Sequence, residues 1–516
     1  PYVHKILVVV EPLLIDEDYF VRVEGRDIIS NLAKAAGAAS MISALRPDID
    51  HHDEYVRNTT ARATAVIVSS LGVNTMLPFL QAACKSRKNW QARHTGQKII
   101  QQTALLMGTT IIAHVKHLLQ IIDIGLDDEH FKVRTISALA FSALIESTSP
   151  FGKLDLSGTV DALFKHFRNQ KGKGLAAYFK AFSQICSISD SLKCNFLFTK
   201  IRSIFLEEFG SKDDEMKRIL LFLMKILASN GSCEQSFWRD EIVPRYFGAL
   251  WNSQFLSDKR NYKIMLSVSY ALALRVGLDN LIGKYVYLLK NDNEIVRILA
   301  CESLFLFMES ENLRLSFKTL DVKLEEQLID GMLFSFTESS SDYRKAILVL
   351  VEFLKNLGQA SEKFMPQILS MIFWRLSNKS SIVRQSASDL AASICMVLKS
   401  NGMNSHIQRL SVVLYENLGE EYPEVLASIL KASFTIAHEI GCSNLAPSVN
   451  EILPKLTPIL RNRHERVQEA CVDYIGLIAK KCPDACGSKE WMRICFELLN
   501  LLRSPWKSTR RGAVLT

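Results

Sequence analysis

The chain has 516 residues, of which 48% are hydrophobic and 22% charged, with 23 glycines and 13 prolines. This composition excludes collagen-like, low-complexity and disordered chains, and no apolar run approaches the roughly 18 residues of a membrane-spanning helix. The net charge of +8 is a mild excess for this length and names no class of partner. The 11 cysteines are scattered among apolar neighbours, which is typical of free thiols in a reducing compartment.

One short pattern recurs along the chain: an acidic or polar turn, an apolar residue, a basic residue, and then an apolar helix of about four turns. We call the basic residue of each copy, or its equivalent, the anchor. Thirteen anchors from Arg22 to Arg510 recur about every 41 residues, the period of HEAT or armadillo repeats, which have two helices per unit. The clearest anchors are Arg22, Arg57, Arg93, Arg134, Arg297, Arg384, Leu426, Gln468 and Arg510.

Apolar residues follow the anchors at helical spacing, and alternating strand patterns are missing. The sequence therefore predicts an all-α fold, a HEAT-repeat solenoid that forms a superhelical rod of about thirteen helix pairs. Each pair buries its apolar face only against its neighbours. We therefore expect residues 1–516 to be a single continuous domain, truncated at both ends and part of a longer solenoid. Four glycines are expected to end second helices in the left-handed α conformation: Gly37, Gly72, Gly108 and Gly358.

Sequence motifs for catalysis are absent, since the chain has no phosphate-binding loop, nucleophile elbow or zinc-protease motif. We predict no enzyme activity, no catalytic residue, no cofactor and no metal site. Cys482 and Cys486 have ligand-like spacing, but no second Cys/His pair follows them. A fixed arginine in each repeat favours a ladder in which it pairs with an acidic residue of the adjacent repeat. For Arg22, Arg297 and Arg384 we favour that structural role, with local acids such as Asp18 nearby.

Basic side chains are concentrated in a few segments. Residues 81–100 and 162–189 contain several lysines and arginines and no acidic residue, and basic residues outnumber acidic ones over 457–516. Basic clusters on successive repeats form a stripe that can follow a phosphate backbone. Ordinary solvated turns are the alternative interpretation, and composition alone does not decide between the two.

Several longer strings resemble one family closely: the large HEAT-repeat subunit of the splicing factor 3b complex, in the U2 small nuclear ribonucleoprotein. The resemblance spans the chain in matching order and is looser over 183–320 and 338–365. It implies a nuclear, non-catalytic scaffold that clamps the duplex of U2 small nuclear RNA and the intron branch site during pre-mRNA splicing. The strings lie at 1–7, 11–18, 53–62, 90–96, 132–139, 172–177, 323–331, 418–425 and 490–498.

The resemblance also implies partners and site residues. The partners would be the pre-mRNA intron, U2 small nuclear RNA and other splicing factor 3b subunits, including a small zinc-knuckle protein and a β-propeller protein, with no membrane. A pocket for the bulged branch adenosine, at a hinge, would involve Arg461, Arg463 and Val467. The early RNA-binding positions would be Arg57, His94, Lys98, Lys132, Arg134 and Lys173.

A purely protein-binding HEAT scaffold, such as a nuclear transport receptor or a phosphatase scaffold, is the alternative function. A transport receptor is expected to carry an acidic inner surface. The charge on that surface therefore separates the two hypotheses.

Overall fold

The computed structural model describes residues 2–149, 156–230, 233–334, 336, 343–485 and 487–516. Within these ranges the regular structure is helical throughout, with no strand. The chain divides into two compact units, Pro1–Leu250 and Trp251–Thr516, and each is described by itself.

The first unit contains the helices up to Ala249, with 3₁₀ turns at Glu11–Ile15, Gly108–His114 and Glu208–Gly210 and a π turn at Trp238–Ile242. Its helices are α1 (Val3–Val10), α2 (Tyr19–Ile49), α3 (Glu54–Leu71), α4 (Val73–Cys84), α5 (Trp90–Met107), α6 (Val115–Leu126), α7 (Phe131–Thr148), α8 (Ser157–Phe167), α9 (Lys173–Ile188), α10 (Ser191–Glu207), α11 (Asp214–Ser229), α12 (Gln235–Phe237) and α13 (Val243–Ala249).

The second unit contains the remaining helices, with 3₁₀ turns at Leu278–Asn280, Gly358–Phe364, Asn417–Gly419, Cys442–Asn444 and Pro483–Ala485. Its helices are α14 (Ser253–Leu256), α15 (Lys259–Val276), α16 (Ile282–Leu289), α17 (Glu294–Glu309), α18 (Glu311–Lys318), α19 (Val322–Phe334), α20 (Tyr343–Leu357), α21 (Met365–Leu376), α22 (Ser381–Ser400), α23 (Asn404–Glu416), α24 (Pro423–Ile440), α25 (Val449–Ile459), α26 (Glu465–Lys481), α27 (Ser488–Leu501) and α28 (Lys507–Leu515).

The helices that carry the anchors pack side by side within each unit. In the first unit α2, α3, α5, α7, α9 and α11 form one row, and in the second α15, α17, α20, α22, α24, α26 and α28 form another. Helices between the anchors, such as α4, α6 and α8, contact one another in a second layer. The core between the layers consists of fully buried side chains such as Ile67, Phe141 and Leu390, each of which contributes about 1.5–3 kcal/mol by burial.

A polar residue directly before an anchor helix caps it. Its side chain accepts a hydrogen bond from the N–H group of the second residue of the helix. The carboxylate of Asp18 accepts a hydrogen bond from the Phe20 N–H at 2.9 Å, and Asp53 and Asn293 cap α3 and α17 in the same way. Such caps contribute about 1 kcal/mol each. The acidic turn of the sequence pattern is therefore a helix start signal.

The anchor arginines hold the preceding turn. The Arg22 Nη1 group donates to the carbonyls of Asp16 and Glu17 at 2.6 and 2.8 Å. The same pair of bonds, to the carbonyls six and five residues earlier, recurs at Arg57, Arg134, Arg297, Arg384 and Arg510. The local acid Asp18 caps α2, and the Arg22 guanidinium binds backbone carbonyls.

The predicted ladder between repeats occurs at specific positions. Arg384 makes a bidentate ion pair with Glu420 of the next repeat, at 2.6 and 2.9 Å. Arg93 pairs in the same way with Asp128, at 2.5 and 3.0 Å. Most anchor arginines therefore bind carbonyls of the preceding turn. At some anchors an ion pair to the next repeat is added to these bonds.

Glycines end several anchor helices, though not in the predicted conformation. Gly72 follows α3 with φ 91° and ψ 142°. Gly37 interrupts α2 with φ 77° and ψ 163°. These ψ angles lie far from the left-handed α region and fall where only glycine is comfortable. The prediction of helix ends at these positions is correct, and the prediction of left-handed α geometry is wrong.

Two stretches, Tyr19–Ile49 and Trp90–Leu126, are long and apolar enough by length and composition to cross a membrane. The first is interrupted at Gly37 and the second at Gly108, both with positive φ. Neither stretch is therefore one continuous helix, and both belong to the packed repeat layers. That the chain has no membrane partner stays a prediction.

Candidate nucleic-acid interface

The six predicted RNA-binding residues lie in the first unit, on four successive anchor helices. Arg57 lies in the first turn of α3, His94 and Lys98 lie on α5, and Lys132 and Arg134 lie in the first turn of α7. Lys173 is the first residue of α9, one repeat further along. Since these helices pack side by side, the structure places the predicted residues along one row.

An aromatic pair lies at the centre of this row. The rings of Trp90 and His130 stack with centroids 3.9 Å apart and an interplanar angle of 4°. The Lys132 ammonium lies 5.4 Å from the Trp90 ring, and the Arg57 guanidinium lies 5.8 Å from it. Phe131 stacks beside His130 at 5.2 Å and is 57% exposed. The cations are therefore held over aromatic faces.

Arg57 and Arg134 are already committed to the backbone. Arg57 is 4% exposed, and its Nη1 group binds the carbonyls of His51 and His52. Arg134 makes the equivalent bonds to Asp128 and Glu129. These two arginines therefore position their helices and add positive charge, whereas Lys132 and Lys173 are exposed and accessible to a ligand.

Positive potential dominates around His94. Burial first, and then Arg57, Lys98, Lys132 and His130, lower the pKa of His94 to about 4. The His94 Nδ1 atom is buried without a hydrogen-bond partner. This imidazole is therefore neutral near pH 7, and its surroundings favour an anion.

The surroundings of Lys98 also lower its pKa. Burial and then Arg62 lower the pKa of its ammonium, and Glu54 opposes that shift. Glu54 is therefore the counter-charge to Lys98, while Asp128 pairs with Arg93 in the same row. Glu54 reduces the repulsion among the cations and keeps the cluster compatible with folding.

Some side chains of the second-unit row pair with one another. Glu302 accepts a hydrogen bond from Tyr262 at 2.6 Å and forms an ion pair with Lys345. Tyr343 donates to Asp389 at 2.7 Å, and Arg466 pairs with Glu424 at 2.7 Å. Lys259 and Lys507, at the starts of α15 and α28, are nevertheless exposed in the same way as Lys132 and Lys173.

The predicted branch-adenosine residues do not form one open cavity in this structure. Arg461 pairs with Glu497 of the following helix pair at 2.6 Å and lines a cavity of about 480 Å³ with Arg493 and Phe496. Arg463 is exposed. Val467 is fully buried on α26, so it lines no open surface in this conformation.

Sequence reasoning missed two contributors to the first-unit row. The stack of Trp90 on His130 joins residues from successive repeats, and the signal for it was an aromatic residue beside each helix start. Arg62 was not predicted, although it lies one turn past the anchor Arg57. Within the ranges that the structure describes, no group of three or more potential metal ligands occurs, and Cys486 lies outside those ranges.

Comparison with known proteins shows which proteins the chain is similar to. No protein-family model matches it. U2 snRNP component prp10 of Schizosaccharomyces pombe is 45% identical over all 516 residues, which are 42% of that protein. U2 snRNP component HSH155 of Saccharomyces cerevisiae is 39% identical over the same residues, which are 53% of its length. The chain is a homologue of these U2 snRNP components. The family resemblance drawn from the sequence is thereby confirmed, and the chain spans about half the length of these relatives.

Solved structures show the same fold. The crystal structure of Kap121p matches 99% of this chain and 53% of its own, with a TM-score of 0.58 and 14% identity. Kap121p bound to RanGTP matches 97% of this chain and 58% of its own, with a TM-score of 0.54 and 13% identity. At such identity the likeness shows the fold alone, and it confirms the all-α solenoid class.

Proposed function

We propose that the chain is a non-catalytic spliceosomal scaffold that clamps the duplex of U2 small nuclear RNA and the intron branch site during pre-mRNA splicing. Homology to two U2 snRNP components over the full chain supports this role. The same proposal includes a nuclear location and assembly with other splicing factor 3b subunits, among them a small zinc-knuckle protein and a β-propeller protein.

The observation that carries the RNA contact is the exposed positive charge at the starts of α7 and α9. Lys132 and Lys173 are exposed, and burial, followed by the surrounding cations, lowers the pKa of His94. Phosphates would relieve this repulsion and release counterions. Such contacts fix the position of a nucleic acid without reading its bases, so sequence choice is left to pairing between the two RNAs.

The aromatic side chains support a proposal that the row also binds single-stranded RNA beside the duplex. Exposed Phe131 offers a π-face beside the stacked Trp90–His130 pair and the Lys132 ammonium. Stacking on such faces contributes about 1–3 kcal/mol per base and tolerates any sequence. The intron next to the branch site is the segment that this surface would hold.

The second part of the proposal concerns the branch adenosine. Arg461, Arg463 and Val467 would contribute to its pocket, with Arg493 on the following helix pair. Because Val467 is buried and Arg461 is paired with Glu497, the helices α25 to α27 would have to shift before a base could reach them. The proposal therefore requires two conformations of this region.

Crosslinking in the assembled particle tests the RNA contact. An intron RNA with 4-thiouridine near the branch site is incorporated into U2 snRNP that contains the full-length protein, irradiated and digested for mass spectrometry. We expect crosslinked peptides from the starts of α5, α7 and α9. Crosslinks confined to the second layer of helices, such as α4 and α6, would contradict the proposal.

The transport-receptor alternative is motivated by the fold likeness to Kap121p, one structure of which is bound to RanGTP. The exposed lysines at the starts of α7 and α9 make that part of the first unit basic, which a transport receptor's acidic binding surface would not be. A binding assay with RanGTP separates the two functions, since the splicing scaffold is expected to give no saturable binding. Micromolar or tighter binding would favour the alternative.

A further inference from the structure

A second basic feature in the first unit lies beyond the predicted RNA residues. A cavity of about 300 Å³ is lined by Arg22 and Arg26 of α2 and by Arg62 of α3. We call it the arginine pocket. Its other walls include Gln102, Leu105 and Leu106 of α5. Among the residues that the structure describes, no carboxylate lines it, so three guanidinium groups share one cavity without a neutralising wall.

The state of the three arginines indicates what the pocket binds. Arg22 uses Nη1 for the carbonyls of Asp16 and Glu17, and its remaining N–H groups are available. Arg62 Nη1 makes one long bond, of 3.5 Å, to the Leu14 carbonyl, and within the described ranges Arg26 has no hydrogen bond or ion pair. Guanidinium groups bind phosphate through paired N–H bonds, and a dianionic or monoanionic oxyanion would relieve the repulsion among the three.

The opposite wall is apolar and open. Leu105 and Leu106 of α5 are 55% and 36% exposed, and Val66 of α3 adds to the apolar lining. A ligand that fits both walls carries an anionic group next to a flat apolar group. A nucleotide has this construction, and a volume of about 300 Å³ is at the small end of ligand sites. A helical acidic peptide would need a longer groove.

The pocket continues the basic row. Arg62 is close enough to Lys98 to contribute to the lowered pKa of that ammonium, and Lys98 in turn affects His94. Positive charge therefore runs from α7 through α5 to α3 and α2. A single strand that follows the row in this direction arrives at the arginine pocket.

We propose that the arginine pocket binds one nucleotide of single-stranded RNA, with the phosphate on Arg22, Arg26 and Arg62 and the base against Leu105 and Leu106. This inference rests on the proposed RNA-binding function. It extends the RNA contact by one repeat toward the N-terminal end of the row. Because the pocket offers Gln102 as its one amide and no ordered set of base-reading groups, we expect little sequence preference.

Fluorescence anisotropy of the full chain with labelled oligouridylate tests the proposal. The variants are Arg26→Gln in the pocket and Lys116→Gln, an exposed lysine on α6, as a charge-matched control. Arg26→Gln is expected to weaken binding about tenfold and to reduce the slope of log affinity against log salt by about 0.7, the value for one phosphate of a single strand. The control is expected to match the wild type, and thermal melting confirms that both variants fold.

Other outcomes separate the two proposals. If Lys132→Glu weakens RNA binding while Arg26→Gln and Lys116→Gln do not, the pocket proposal is overturned and the RNA-binding function stands. If the wild type binds no RNA, both fail. If a labelled oligoglutamate peptide binds in a way that depends on Arg26 while RNA binding does not, the pocket is a site for acidic peptides and the proposal is overturned.

Discussion

At the scale of single residues, the anchor arginine has a role that its sequence context did not reveal. The pattern fixed its place in the repeat, and an ion-pair ladder was the natural expectation. The structure shows that the guanidinium mainly binds two carbonyls of its own turn. That role depends on how the chain folds back before the helix, which the identities of neighbouring residues do not specify.

Loss of an anchor should destabilise its turn. Arg297 is 4% exposed and donates to the carbonyls of Asn291 and Asp292 at 2.7 and 3.0 Å. We expect Arg297→Met to lower the free energy of unfolding by roughly 2–3 kcal/mol, because two carbonyls lose the charged donor of a buried arginine. Hydrogen exchange of the amides of α16 and α17 measures this loss of stability. The control Arg260→Met, at an exposed arginine, should change protection little, and equal effects of both variants would contradict the assigned role.

His94 should make stability depend on pH. Its folded pKa of about 4 lies below the ordinary value of 6.5, so between these values the unfolded chain binds more protons. Stability therefore falls as pH drops through this window. From pH 7 to pH 5 we expect a loss of about 1–2 kcal/mol that is absent in His94→Gln.

Urea unfolding at the two pH values, followed by hydrogen exchange of α5, measures this difference. His117→Gln, at an exposed histidine of α6, serves as the control and should behave as the wild type. A pH dependence in His94→Gln as large as that of the wild type would show that other groups cause it.

At the scale of elements, the sequence predicted helix starts well because the caps and anchors are local. Weak copies of the pattern near Gly174, Arg218, Tyr262 and Arg344 coincide with the starts of α9, α11, α15 and α20. Helix ends were predicted in position but not in backbone geometry, because ψ after a glycine is decided by where the next helix packs.

Gly72 should be sensitive to a side chain for backbone reasons alone. A β-carbon there would meet no atom within 4 Å, yet φ is +91°. We expect Gly72→Ala to lower the free energy of unfolding by roughly 1–3 kcal/mol. Gly248→Ala is the matched control, since Gly248 lies in α13 with equally open surroundings and alanine favours helix. Thermal melting compares them, and equal melting temperatures would contradict the strain at Gly72.

Glu11 should destabilise the first repeats when it ionises. It is 8% exposed, and burial and then Asp48 raise its pKa to about 7, against a hydrogen bond with Thr59. The folded chain therefore binds more protons than the unfolded one between pH 4.5 and 7, and stability falls as pH rises through that window. We expect Glu11→Gln to stabilise the protein by roughly 2 kcal/mol at pH 8 and by little at pH 5.

Thermal melting at the two pH values tests this expectation. Glu17→Gln, at an exposed carboxylate close by, is the control and should give no pH-dependent gain. A loss of stability in Glu11→Gln at pH 8 would mean that the carboxylate is ionised and well solvated or paired.

At the scale of the whole molecule, the repeat period and the family strings predicted the fold class and the homology. They also directed attention to the basic row in the first unit. The sequence did not predict that Trp90 stacks on His130, that Arg62 links Lys98 to the arginine pocket, or that Val467 is buried. Each of these depends on residues about one repeat apart meeting across packed helices, and no local pattern encodes that meeting. Whether residues 1–516 form one continuous domain stays a prediction.

We propose above all that the first-unit row holds RNA by charge. The most direct test is the affinity of the assembled complex for a branch-site duplex when Lys98, Lys132 and Lys173 are all replaced by glutamate. The control replaces three exposed lysines outside that row, Lys116, Lys193 and Lys379, in the same way. We predict a loss of at least about a hundredfold and a smaller salt dependence for the row variant, with the control close to wild type. Equal affinities for the row variant and the control would contradict the account.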